Sequence, residues 1–194
     1  MTRLEPSRPA WFLLLALVLN LAGCTAEPGI QVAMTPSTAE NVVARLPENI
    51  GNFRRGVVTI LSDGAAGEGP RGQELAYATA DRSLAGFVQV VPQLEPMGEA
   101  GLPEALQRFV YDSTANTPIH RRLRERRSVS LPEAQPVLRC SELEGNYGRQ
   151  PVESLACVGV FGGQLVRLRV SHIRREGRMA EVRGFAELVA AALR

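Results

Sequence analysis

Two adjacent glycines, Gly162 and Gly163, separate two runs of alternating residues, and that arrangement constrains the fold more than any other feature of the chain. Paired glycines supply the positive φ angles of a two-residue hairpin turn. On one side lies Ser154 to Phe161, and on the other Gln164 to Ser171. In the second run Val166, Leu168 and Val170 alternate with Arg167 and Arg169, the pattern of an antiparallel sheet with one face buried and the other wet. Val137 to Leu143 reads as a further strand just upstream.

The rest of the chain supplies helices and more strands. Ser37 and Glu40 have capping-box spacing, and Ala39, Val42, Val43 and Leu46 then fall on one helical face before Pro47 ends it. Phe53 to Leu61, Gln73 to Ala80 and Leu84 to Val91 read as strands, the last two joined by a tight turn at Asp81-Arg82-Ser83. Pro103 suits the first turn of a second helix carrying Leu106, Phe109 and Val110. A final helix over about 176–193 places Val182, Phe185, Val189 and Leu193 on one side. Helix, three strands, helix, three or four strands, helix is the order of an α+β domain, an antiparallel sheet with packed helices. It resembles the PsbP-type fold found in some small lipoproteins.

The N-terminus carries an address. Arg3 and Arg8 precede the apolar run Trp11 to Leu19, which is interrupted at Asn20. A spanning helix needs roughly 20 apolar residues, so this layout is that of a secretory signal. Leu21-Ala22-Gly23-Cys24 then resembles the lipobox of bacterial lipoproteins at all four positions. The resemblance implies that Leu21, Ala22 and Gly23 are recognised by signal peptidase II, that residues 1–23 are removed, and that Cys24 carries diacylglycerol and acyl (palmitate-type) lipid. Two or more chains hold a protein stably on a bilayer, at about 0.8 kcal/mol per buried methylene. In lipoproteins of Gram-negative type an aspartate after the lipid-bearing cysteine retains the protein in the inner membrane; Thr25 stands there, so for an organism with an outer membrane the resemblance implies delivery to it, facing the periplasm, rather than the inner membrane. Residues 24–36 read as a tether of at most about 40 Å, and residues 37–194 as the folded domain.

With Cys24 lipidated, Cys140 and Cys157 remain as an even pair in an oxidising compartment. The segment between them, Glu144 to Pro151, reads as a turn-rich connection. A hairpin with that centre sets the cysteines opposite each other, so a disulfide is expected.

Other features exclude more than they assign. All 22 basic residues are arginine, which removes Walker A loops, Schiff-base chemistry and Ser-x-x-Lys sites. A net charge of +2 implies no nucleic acid partner, and 5% aromatic residues make no stacking platform. Gly67-Glu68-Gly69-Pro70-Arg71-Gly72 matches G-x-G-x-x-G, but a strand follows where a dinucleotide site needs a helix, so it reads as a hairpin loop. His120 and His172 read as surface or strand-end residues, and Glu142 and Glu144 as solvated carboxylates sharing a strand face. No catalytic residue, metal site or cofactor is assigned. Arg121, Arg122, Arg124, Arg126 and Arg127 form the strongest charge run. It reads as a solvated helix end or edge strand, or alternatively as a contact for anionic head groups or an acidic partner. Three functions stay open: a non-enzymatic envelope lipoprotein that binds or helps assemble another envelope component, a small-molecule or lipid-binding module, and a cell-envelope hydrolase. A sizeable apolar cavity favours the second, and two acids with raised pKa values in a cleft favour the third.

Overall fold

The strands fall into two antiparallel meanders. A computed structural model describes residues 39–61, 72–93, 97–115 and 123–194, all within the unit 35–194. The first meander holds β1 (Asn49–Ile50), β2 (Phe53–Leu61), β3 (Gly72–Thr79) and β4 (Leu84–Val91). The second holds β5 (Leu123–Leu131), β6 (Leu138–Tyr147), β7 (Gln150–Phe161) and β8 (Gln164–Ile173). Their last strands, β4 and β8, pair with each other, so one antiparallel sheet runs β1-β2-β3-β4-β8-β7-β6-β5. Helices α1 (Ala39–Ala44), α2 (Leu102–Ala115) and α3 (Arg178–Leu193) complete an α+β fold. Among the described residues no helix is long and apolar enough to cross a membrane.

Alternation along each strand divides the sheet into two faces, and each face has its own core. Val42, Leu75, Leu155, Leu168, Phe185 and Val189 belong to the core under α1 and α3. Phe185 is central there, with its ring 4.2 Å from that of Phe53 and 5.5 Å from that of Tyr77. The Tyr77 hydroxyl donates to the Pro47 carbonyl, tying the exit of α1 to β3. Leu102, Phe109, Leu143, Val158 and Leu165 form the core under α2. Gly162 and Gly163 take φ angles of 55° and 76° in the β7–β8 turn, as the paired glycines require.

The second face is therefore not simply wet. Arg167 and Arg169 lie beneath α2, half-buried. The Arg167 guanidinium sits 5.6 Å from the centre of the Phe109 ring. Arg169 donates to the Ser113 carbonyl near the end of α2 and to Ser154 Oγ. Burial lowers the pKa of both guanidiniums. Alternation identifies which residues share a face, whereas a helix from another segment decides whether that face meets water. The Glu144–Pro151 connection also differs from expectation. Both strands continue through it, and the turn shrinks to Gly148 and Arg149.

Gly184 lies inside α3 with open space where a Cβ would stand. Gly184→Ala is expected to stabilise the protein by about 0.5–1 kcal/mol in urea unfolding, because alanine restricts the unfolded backbone.

Candidate functional site

Helix α2 carries two apolar stripes, and they do different things. Leu102, Ala105 and Phe109 are buried against the sheet. Pro103, Leu106 and Val110 form a second stripe at helical spacing, turned toward the β5–β6 edge with Gln107 beside them. Because α2 packs over β6 and β7, a strip of β5 and β6 is left beside it, and a half-open groove of about 550 Å³ lies between helix and strip. Ligand pockets span roughly 300–1,000 Å³.

Strand residues make the groove's other wall polar. Glu125, Ser128 and Ser130 come from β5, and Arg139 and Ser141 from β6. Ser128 stands opposite Ser141 in register, and Ser130 opposite Arg139. Ser128 Oγ donates to Glu125 at 2.7 Å, and Arg139 donates to Ser130 Oγ at 3.2 Å. The Ser141 hydroxyl is buried and has no hydrogen-bond partner among the described residues. Such a group costs about 1–3 kcal/mol until something satisfies it. One wall is thus apolar, and the other offers hydroxyls, a carboxylate and a guanidinium. Ser141→Ala removes the orphan hydroxyl, so it is expected to raise the stability of the ligand-free protein by about 1 kcal/mol in chemical denaturation.

The arginine run occupies edge strand β5 and addresses the opposite face. Before residue 126, Leu123 and Glu125 face α2; after it, Ser128 and Ser130 do, because a β-bulge lies between Glu125 and Arg127. The extra residue brings Arg124, Arg126 and Arg127 all to carboxylates on the α3 side. Arg127 and Arg183 both donate to Glu142. Arg124 and Arg174 hold Glu144, and Arg126 and Arg174 hold Glu153. The charge of these three β5 arginines is matched by carboxylates of the same face.

Glu142 and Glu144 do share a strand face, but Glu142 is not solvated: its side chain is 1% exposed, against 20% for Glu144. Burial alone pushes the Glu142 carboxyl up, yet the hydrogen bonds and charges of Arg127 and Arg183 outweigh it, and the pKa ends below the ordinary value. The hydrogen bond from Arg124 is the main cause that lowers Glu144. Isolated sequence stretches conceal this, since each carboxylate meets arginines from other strands and from α3.

Cys140 and Cys157 form a disulfide, at 4.0 Å between Cα atoms, on directly paired positions of β6 and β7. His172 stands at the end of β8 but is buried rather than at the surface. Its Nδ1 contacts the Ile173 carbonyl, and its Nε2 lies 3.9 Å from Glu153. Ser171 points to the other face and shares a hydrogen bond with Ser154. Leu21, Ala22, Gly23, Cys24, His120, Arg121, Arg122 and residues 67–71 of the glycine-rich loop lie outside the described residues. Among the described residues no group of three or more His, Cys, Asp or Glu side chains is placed to hold a metal ion. The groove residues went unnoticed in the sequence. Only the apolar half, at Leu106 and Val110, carries a periodic signal, while the serines sit on separate strands.

No protein-family model matches the chain, and none of the curated proteins matches it.

Proposed function

We propose that this chain is a lipid-anchored protein of the bacterial envelope whose groove beside α2 binds an acyl-chain amphiphile. The observation that carries the reading is the groove's two-sided chemistry. Pro103, Leu106 and Val110 suit an apolar chain, and the unpartnered Ser141 hydroxyl and Arg139 suit a polar head. Among the described residues, neither Arg139 nor Glu125 has an ion-pair partner across the groove. The lipobox at Leu21 to Cys24 supports the anchor, Thr25 supports the outer membrane facing the periplasm, and the Cys140–Cys157 bond supports an oxidising compartment. Cleavage before Cys24 leaves residues 24–36 as the tether of the folded domain.

Native mass spectrometry of the full chain, purified from its membranes, tests both parts. The anchor predicts an N-terminal peptide starting at Cys24 with acyl mass; an unmodified Cys24 or retained residues 1–23 refutes it. The groove predicts a co-purifying amphiphile on the wild type that is reduced at least about tenfold in Leu106→Trp, whose indole fills the groove. Equal occupancy in a folded Leu106→Trp protein refutes it.

A second reading, binding or assembly of an envelope protein, is favoured by edge strand β2. β1 pairs only with Phe53 and Arg54, and Val57, Val58 and Ile60 beyond them are exposed. Such an edge can accept a partner's strand. Hydrolysis by a pair of carboxylic acids is the reading least supported: among the described residues the carboxylates with clearly shifted pKa values, Asp81, Glu142 and Glu144, are all shifted down.

A further inference from the structure

A second hollow, of about 250 Å³, lies at one end of the sheet and shares no residue with the groove. Four segments meet there: the β3–β4 turn, the β6–β7 turn, the end of β8 and the start of α3. Arg82, Arg175 and Arg178 line it together with Tyr147, Ser171 and His172.

Three guanidiniums around one small concavity repel each other unless something negative sits among them. The nearby carboxylates answer only part of this, because Asp81 and Glu181 both act on Arg178. Asp81 accepts hydrogen bonds from Thr79 Oγ1 at 2.6 Å, Ser83 Oγ at 2.8 Å and the Ser83 amide at 3.0 Å, so it is turned into its own tight turn. Glu181 pairs with Arg178 at 2.9 Å. Arg82 and Arg175 have no carboxylate partner among the described residues. The backbone favours the same sign of ligand. The first turn of the 16-residue α3 follows Gly177 with no side chain capping it, so the positive end of the helix dipole adds to the guanidiniums.

We propose that this hollow binds a phosphate ester. Forked guanidiniums match the oxygens of a tetrahedral oxyanion, and Arg82, Arg175 and Arg178 bring three of them to one small concavity. The same chemistry is offered by a free phosphate ester and by the head group of an anionic phospholipid.

Hydrogen–deuterium exchange of the full chain in nanodiscs distinguishes the sources, read at residues 79–84 and 171–182. Glycerol 3-phosphate added to phosphatidylcholine nanodiscs is one arm, and phosphatidylglycerol nanodiscs without added ester are the other. Protection in the first arm assigns a free ester; protection in the second alone assigns a lipid head group. Arg82→Gln and Arg175→Gln each weaken the protecting interaction by about tenfold, whereas Arg108→Gln, a distant exposed arginine, leaves it unchanged. Absence of protection in both arms overturns the proposal. So does protection that survives in both Arg82→Gln and Arg175→Gln, or that falls equally in Arg108→Gln, which would mark general screening of charge.

Discussion

Replacing Cys140 and Cys157 together with alanine lowers the free energy of unfolding by about 3 kcal/mol, the chain-entropy value for a loop of this size. The bond closes a loop between residues 17 apart and joins directly opposed positions on β6 and β7. Both cysteines are fully buried in the core beneath α1 and α3, so alanine removes packing as well as the cross-link. Alanine is the informative substitution, since serine would bury two hydroxyls without partners. Urea unfolding of wild type and double variant measures the difference directly. An unfolding free energy changed by less than about 0.5 kcal/mol would show that the denatured chain gains no freedom from losing the cross-link.

Glu142→Gln is expected to cost about 2–3 kcal/mol, a figure below that for a fully buried pair because Arg127 and Arg183 reach solvent at their outer ends. The amide keeps the shape of the carboxylate but leaves two guanidiniums without their shared negative charge. The pH dependence separates this from a packing defect. The folded pKa of Glu142 is lowered, so the folded protein holds its proton less tightly than the unfolded chain does. Stability from this site is complete above the unfolded value, about 4.3, and is lost as pH falls through the folded pKa. The stability difference between wild type and Glu142→Gln should therefore be largest near neutral pH and shrink in acid. A difference that stays constant down to about pH 2 would contradict the ion-pair account.

How far the fold could be read from sequence depended on where each element's information lies. β2 and β4 were legible to the residue because their apolar and β-branched runs end at clear turn residues. The disulfide was legible because a hairpin's centre fixes which residues face each other, even though the connection proved tighter than its glycines and proline implied. β5 was harder. Its arginine run has no apolar alternation, and its bulge breaks the period of two that identifies a strand. The same bulge made the run's role invisible, since strict alternation would send Arg127 away from Glu142. Arg167 and Arg169 show the converse. Their alternation was plain, but only the path of α2 reveals that they are covered. The groove depends on that path too, because its walls come from residues 103–110, 125–130 and 139–141, brought together by packing rather than by sequence proximity.

The groove is tested most directly by mapping where an acyl chain touches the protein. The full chain is incubated in its membrane with a fatty acid carrying a photoreactive diazirine, irradiated, and analysed peptide by peptide. Label concentrated on residues 102–110 and 125–141 of the wild type, and lost from them in Leu106→Trp, is the predicted result. Label spread evenly over the surface, or undiminished at those residues in Leu106→Trp, would contradict the assignment of the groove as a binding site for amphiphiles.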